Sequence, residues 1–423
     1  MSLLGEIERD VQSHEAGVLR FITAGSVDDG KSTLIGRLLH DTRQILGDQL
    51  AAVSQASRRR GFDAPDLSLL TDGLEAEREQ GITIDVAYRY FATAKRKFII
   101  ADTPGHEQYT RNMATGASTA DAAVLLTDAE KGLLPQSRRH LYVAHLLGIR
   151  DIVVAVNKMD RVGYRRESFD GVRSAFEAFA RQLGTAPLRF VPISALAGDM
   201  VVERGGNLGW YDGPTLLEML ELLEPVRAAQ TLPLRFPVQL VQRNAGGRLY
   251  LGRVQSGTVR AGDEIVVLPS GRRVAIAGVY GSRGELDSAQ AGDSISLKLA
   301  EETDVTRGDL FAAVAHPPRV SPVVEGTLVW LGAEPLVKGG RYLLKSATRT
   351  VKAKVTAVRE RIDVQTLAAE PASGPVALND IVRVTLAAQQ PLAVDAYREN
   401  RSTGAFILID EVTHQTVAGG MVS

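Results

Sequence analysis

Along the first part of the chain, short apolar runs alternate with stretches of helical spacing. The runs at 21–24, 98–101, 122–127, 152–156 and 189–193 predict strands, and those at 33–39, 135–147, 165–183 and 215–223 predict helices. This alternation predicts a mostly parallel sheet with helices on both faces. In such a sheet a ligand binds beyond the carboxyl ends of the strands.

The pattern changes near Glu224-Pro225. From Leu232 onward it becomes short strands joined by turns, at 235–242, 249–255, 264–268, 273–279 and 294–299. Pro269-Ser270-Gly271 is a hairpin signal, and Ala261-Gly262-Asp263 and Ala291-Gly292-Asp293 are turn signals. Strands this short and this evenly spaced predict a closed barrel. At His316-Pro317-Pro318 two prolines remove backbone donors and stiffen a linker. A second all-strand segment follows, at 323–331, 342–344, 350–359, 380–386, 406–410 and 416–421. The expected organisation is an α/β nucleotide domain over 1–228, then two small all-β barrel domains over 229–316 and 317–423.

Composition narrows the function. A chain of 423 residues exceeds one core, and 44% hydrophobic with 23% charged residues is ordinary for a globular protein. A net charge of −1 favours no bulk attraction to nucleic acid or to a membrane surface. The chain has no cysteine, which excludes disulfides, thiolate nucleophiles, cysteine-held zinc and iron–sulfur clusters. Residues 1–17 carry Glu6, Glu8, Asp10 and Glu15 and lack the basic start and apolar stretch of a signal peptide, so the cytoplasm is the expected location. The apolar runs fall far short of the ~20 residues that span a membrane.

The chemistry centres on Gly25-Ser26-Val27-Asp28-Asp29-Gly30-Lys31-Ser32 and the following Thr33. This is the G-x-x-x-x-G-K-[ST] phosphate loop, set between a predicted strand and a predicted helix as the motif requires. Glycines let the backbone turn, and loop amides with the helix N-terminus point at phosphate oxygens. Lys31 supplies a charge to the β- and γ-phosphates, and the Ser32 hydroxyl can ligate Mg²⁺.

Further motifs follow later strands. In Asp102-Thr103-Pro104-Gly105-His106, Asp102 stands at a strand end, where it either holds Mg²⁺ or caps a helix. Gly105 offers a bare amide to a γ-phosphate, and hydrolysis would remove that hydrogen bond, so the element can switch. Asn157-Lys158-Met159-Asp160 fits guanine: the Asp160 carboxylate accepts from the ring N–H and the exocyclic amine, while adenine would leave it unpaired. Asn157 would tie loop and base together, and the Lys158 stem can cover the base plane. Ser194-Ala195-Leu196 either sets a backbone amide on the guanine carbonyl or is an ordinary strand-to-helix turn. In Glu79-Gln80-Gly81-Ile82-Thr83-Ile84, Thr83 can complete the Mg²⁺ shell. The charged stretch 50–80 has the profile of a mobile switch, and Arg58-Arg59-Arg60 within it is expected to be a solvated surface.

In this order the motifs resemble the translation-factor class of GTPases, and the domain plan resembles elongation factor Tu. The stretches 25–39, 72–91, 95–118 and 419–422 are more closely similar to the GTPase-subunit family of bacterial ATP sulfurylase (CysN). Elongation factors place histidines at the positions of Ser26 and Asp29, and usually cysteine at that of Thr103. The resemblance implies a GTPase with Mg²⁺ that pairs, as a heterodimer, with a catalytic CysD-type subunit and binds neither nucleic acid nor membrane. That partner would form adenosine 5′-phosphosulfate and pyrophosphate from ATP and sulfate, with GTP hydrolysis drawing the reaction forward. One phosphate loop and no second nucleotide motif agree with ATP binding on the partner. The resemblance also makes His106 the residue that orients the attacking water, past an apolar gate of Val27 and Ile82. The other reading of His106 is a histidine that caps the following helix, but phosphoryl transfer needs a water-positioning group and this site offers few others. The alternative function is a translation-factor-like GTPase that binds RNA.

Overall fold

Every residue of Ala122–Asp128 is buried, as befits a strand in the middle of a sheet covered on both faces. The computed structural model describes residues 17–45, 47–59, 65–70, 86–104, 110–223, 228–244 and 247–423. The chain divides into two compact units near Pro225.

The first unit holds a six-stranded sheet of β1 (Leu19–Ala24), β2 (Ala87–Ala92), β3 (Lys97–Asp102), β4 (Ala122–Asp128), β5 (Asp151–Asn157) and β6 (Arg189–Pro192), in the order β2-β3-β1-β4-β5-β6. All neighbours are parallel except β2, which runs antiparallel to β3 at the edge. Parallel pairing brings the carboxyl ends to one side. Thr23 lies opposite Asp102, and Asp128 opposite Asn157. The five predicted strands are present and longer by a residue or two in most cases.

The helices are α1 (Lys31–Asp41), α2 (Gly47–Arg59), α3 (Thr110–Ala117), α4 (Pro135–Leu146), α5 (Arg166–Leu183) and α6 (Leu216–Leu222). On α5, Phe169, Val172, Phe176, Phe179 and Ala180 are buried at helical spacing, and Gly184 ends the helix in the left-handed conformation at φ 69. Proline at the first position opens α4, and a Thr215–Glu218 capping box opens α6. The buried Arg96, in the β2–β3 turn, donates to the Leu220 and Leu223 carbonyls at the end of α6.

Of the stretch 50–80 expected to be a mobile switch, residues 60–64 and 71–80 lie outside the described residues. Its first residues lie in α2, and Leu67–Leu70 form a one-turn helix. Val53, Ser57 and Leu67 are buried, and the Ser57 hydroxyl accepts the Asp66 N–H at 2.7 Å. Apolar residues hidden among many charges anchor this segment. Arg58 is exposed, as expected.

The second unit holds two barrels. The first is built from β7 (Arg235–Asn244), β8 (Gly247–Arg253), β9 (Thr258–Arg260), β10 (Glu264–Leu268), β11 (Arg272–Gly281), β12 (Gly284–Leu286), β13 (Ser288–Gln290), β14 (Ser294–Leu299) and β15 (Leu310–Ala313). Six of these close a ring, β7-β8-β14-β11-β10-β15 and back to β7, around Phe236, Tyr250 and Phe311. The closing strand β15 lies outside the predicted set, because three consecutive buried residues in Leu310–Ala313 break the alternation that marks a strand. The second barrel comprises β16 (Arg319–Trp330), β17 (Arg341–Ser346), β18 (Arg349–Ile362), β19 (Ala369–Pro371), β20 (Ile381–Val394), β21 (Ala405–Asp410) and β22 (Thr416–Val422). Its ring is β16-β20-β18-β17-β21-β22 and back to β16, and all six strands correspond to predicted ones.

Candidate functional site

The loop between β1 and α1 turns on two left-handed residues, Asp28 at φ 69 and Gly30 at φ 94. Gly30 is the residue before α1, and its carbonyl accepts the Leu34 N–H at 2.9 Å. A Cβ at Gly30 would lie 2.5 Å from Asn157 Nδ2, and one at Gly25 would lie 3.0 Å from the Leu126 carbonyl oxygen. Gly30 is therefore demanded by close approach as well as by the turn, and Gly25 by close approach. Inside the loop the Ser26 N–H donates to Asp29 Oδ2 at 2.6 Å, and the Asp29 N–H to the Ser26 carbonyl at 3.2 Å. Val27 and Asp28 are exposed, Ser32 and Thr33 half-buried.

Lys31 is buried, and its Nζ donates to the Gly25 carbonyl at 3.2 Å. Burial pushes its pKa down, and Asp102, Asp29 and Asp28 act against that shift. A cation taken out of water is stabilised by an anion brought against it, and the three acids meet only part of that need. Asp102 is buried at the end of β3 and accepts from Thr23 Oγ1 at 3.3 Å. The buried Thr103 turns its hydroxyl back onto the Thr23 carbonyl at 2.7 Å, so its side chain belongs to the floor rather than to a ligand. Pro104 is buried beside it.

At the neighbouring strand ends, Asn157 fastens two loops. Its Nδ2 donates to the Asp29 carbonyl at 2.7 Å, and its Oδ1 accepts the Ala195 N–H at 2.9 Å. Of the amides in Ser194-Ala195-Leu196, where one was expected to meet a base carbonyl, that of Ala195 donates to Asn157. Lys158 stands at φ 61 and pairs with Asp128 Oδ2 at 2.9 Å, which holds its stem in place. Burial alone would raise the Asp128 carboxyl, but Lys158 and the Glu130 N–H outweigh it and hold the pKa below the ordinary value. Met159 is buried, and its N–H donates to the Ile193 carbonyl. The half-buried Asp160 accepts from Ser194 Oγ at 2.6 Å through Oδ1. Leu196 is exposed.

Several of these partners carry no motif. Arg37, on α1, donates to the Ala195 and Leu196 carbonyls at 3.1 and 2.6 Å, which ties the third loop to the phosphate-loop helix. The Ser194 N–H donates to the Asp199 carbonyl, and Asp199 Oδ2 accepts from Tyr164 and Asn207. Burial, then the bond to Asp199, pushes the Tyr164 hydroxyl up to about 12. Asp128 had one signal in the sequence, an acid at the end of an apolar strand; Arg37 had none.

Gly105, His106, Thr83 and Ile82 lie outside the described residues. The arrangement fits a nucleotide: a buried ammonium at a helix start, hydroxyls at Ser32 and Thr33, and a carboxylate paired with one hydroxyl where a purine edge would end. No group of three or more His, Asp or Glu side chains poised for a metal occurs among the described residues. A divalent ion here would therefore draw on the Ser32 hydroxyl, Asp102 and phosphate oxygens, the oxygen ligands that Mg²⁺ takes.

A P-loop α/β domain followed by two six-stranded barrels defines a GTPase of the elongation-factor Tu type. Residues 17–226 match the elongation factor Tu GTP-binding domain, 247–312 elongation factor Tu domain 2, and 324–423 the GTP-eEF1A C-terminal domain-like family. The sulfate adenylyltransferase subunit 1 of Salmonella paratyphi C is 51% identical over 415 residues, covering 97% of this chain and 86% of that one. The bifunctional enzyme CysN/CysC of Mycobacterium tuberculosis is 50% identical over 411 residues, 96% of this chain and 67% of that one. A solved structure of sup35 with GDP aligns over 96% of this chain and 93% of its own at 22% identity, with a TM-score of 0.44. The chain belongs to the sulfate adenylyltransferase subunit 1 (CysN) family.

Proposed function

We propose that this chain is the GTP-hydrolysing regulatory subunit of an ATP sulfurylase. With a catalytic CysD-type partner in a heterodimer it couples GTP hydrolysis to formation of adenosine 5′-phosphosulfate and pyrophosphate from ATP and sulfate. One observation carries the reading: Asn157 joins the phosphate loop to the base-recognition loop, in a chain half-identical along nearly all its length to a sulfate adenylyltransferase subunit 1.

In this reading the amides from Val27 to Thr33 and the Lys31 ammonium hold the β- and γ-phosphates. Asp160 takes the two donors of guanine, with Lys158 along the ring and Ser194, Ala195 and Leu196 closing the far side. Mg²⁺, held by Ser32, Asp102 and Thr83, would neutralise charge on the phosphates when bound. His106 orients the attacking water beside Thr103, Pro104 and Gly105, with Val27 and Ile82 as the apolar gate. Its contribution is positioning more than proton abstraction. The sulfate–phosphate anhydride is high in energy, so a coupled hydrolysis is needed to draw its formation forward. A cytoplasmic enzyme without RNA or membrane partners fits this chemistry.

The test is to co-express the chain with a candidate adenylylating partner, add ATP and sulfate, and follow GTP loss against phosphosulfate. The two should rise together. GTP hydrolysis at the same rate with and without the partner and its substrates would reject the coupling, and retention of RNA at physiological salt would favour a translation-factor role.

A further inference from the structure

Two buried polar atoms of the phosphate loop, Ser26 Oγ and Asp29 Oδ1, have no hydrogen-bond partner among the described residues. Asp29 is 1% exposed. Its second carboxylate oxygen takes the Ser26 N–H, and its main-chain carbonyl takes Asn157 Nδ2. The side chain fills the inside of the loop, where a Cβ on Gly25 would come within 3.3 Å of Asp29 Oδ2. Burying an ionised carboxylate with one oxygen unsatisfied is costly. Burial pushes the Asp29 carboxyl up to about 6, although the Ser26 N–H, Lys31 and Lys158 all pull it down, and Asp128 adds to the rise. The other charged groups around Lys31 are Asp28 in the loop and Asp102 at the end of β3. His140, on α4, is kept neutral by burial, with its pKa down at about 3. A loop built to receive an anion therefore already contains a buried acid of its own.

We propose that Asp29 is a positioning residue that couples phosphate binding to a proton: a nucleoside di- or triphosphate arriving at Lys31 brings negative charge against the Asp29 carboxylate, which takes up a proton from solvent as the nucleotide binds. This inference rests on the reading of the loop as a phosphate site. As pH falls through about 6 Asp29 becomes protonated, and the loop then accepts phosphate without opposition. As pH rises, the ionised carboxylate competes for Lys31 and retention of the diphosphate product weakens. In this way the buried acid eases product release.

The experiment is calorimetric titration of the full chain with GDP and Mg²⁺ at about pH 6, 7 and 8, each in two buffers of different ionisation enthalpy. The wild-type chain should take up a proton beyond those of GDP itself. Its affinity should fall about tenfold more between the ends of that range than that of Asp29→Asn. At the alkaline end Asp29→Asn should bind GDP about tenfold tighter, since a like charge at close range is worth at least that. A merely structural role would move affinity without changing its pH profile. Parallel profiles for the two proteins overturn the proposal. Should Asp29→Asn not fold, the buffer dependence of the wild-type chain decides, and an uptake no greater than that of GDP overturns it. No GDP binding at any pH would bring down the phosphate-site reading as well, a result distinct from parallel profiles.

Discussion

A methyl group on Gly30 would lie 2.5 Å from the Asn157 side-chain nitrogen. The same glycine sits at φ 94, where a Cβ is strained whatever the space around it. Gly30→Ala should therefore displace Asn157 and release both loops that it fastens, those of Asp29 and Ala195. The left-handed backbone adds about 1 kcal/mol. The expected result is a loss of GDP affinity of at least about tenfold, with the far-ultraviolet dichroism unchanged. Titration with a fluorescent GDP analogue measures it, and undiminished affinity would show that the Asn157 link is dispensable.

Asp160 tests the base. Its Oδ1 accepts from Ser194 at 2.6 Å, which aims the carboxylate while leaving acceptor capacity. Asp160→Asn presents an amine to the two donors of guanine and an amine to the 2-oxo group of xanthine. GTP affinity should drop by roughly a hundredfold and that for xanthosine triphosphate should rise, because charged hydrogen bonds are the costly ones to lose. Competition between the two nucleotides in the same titration reads the exchange directly. A preserved preference for GTP would mean that the base lies elsewhere.

What could be read in advance follows from which residues have a backbone job. Gly30, before α1, and Asn157 and Asp160, at and just past the end of β5, stand where only certain residue types turn the chain or match a base, so spacing betrays them. Asp128 and Arg37 do comparable work through single side-chain contacts, to Lys158 and to the Ala195 and Leu196 carbonyls. Nothing about an aspartate or an arginine in sequence says which distant loop it will reach. The barrels divide in the same way. The second is rich in alternating strands such as β17, where Tyr342, Leu344 and Ser346 are buried and Arg341, Leu343 and Lys345 between them are more exposed, and it reads clearly. The closing strand of the first, β15, is short and continuously apolar over its buried residues, so its role depends on β7 and β10 at its sides. The edge strand β2 lies outside the predicted set: its large apolar residues Tyr88 and Tyr90 face solvent, so it lacks the apolar run that marks the other strands.

Within the second unit, Arg235 on β7 and Asp395 just past β20 form a buried two-pronged ion pair at 2.8 and 2.9 Å. Thr403 also donates to Asp395, and the Arg235 guanidinium reaches the Leu234 carbonyl. Removing one partner strands the other charge, so Asp395→Ala should cost about 3–5 kcal/mol. Replacing both, as Arg235→Met with Asp395→Leu, should cost less than the single change. Urea unfolding followed by Trp330 in a Trp210→Phe background isolates this unit, since these are the two tryptophans of the chain. Equal losses from the single and double variants would show that a stranded charge is not the source of the cost.

His140 makes stability depend on acidity in a defined direction. It is buried on α4, its Nδ1 has no partner among the described residues, and its Nε2 meets Gln136 at 3.1 Å. Burial, then the nearby Lys31 and Arg139, lowers its pKa from 6.5 to about 3. The unfolded chain therefore binds this proton first as the solution is acidified. The stability that neutral His140 allows is fully present above pH 6.5 and is lost as pH falls from there toward 3. The limiting slope is about 1.4 kcal/mol per pH unit. His140→Gln removes the titration while keeping a polar side chain of similar length, so its stability should decline less steeply over that window. Unfolding midpoints followed by Trp210 in a Trp330→Phe background, taken at several pH values below neutrality, compare the two. Parallel declines would show that His140 binds its proton as readily in the folded protein as in the unfolded chain, and would overturn the prediction.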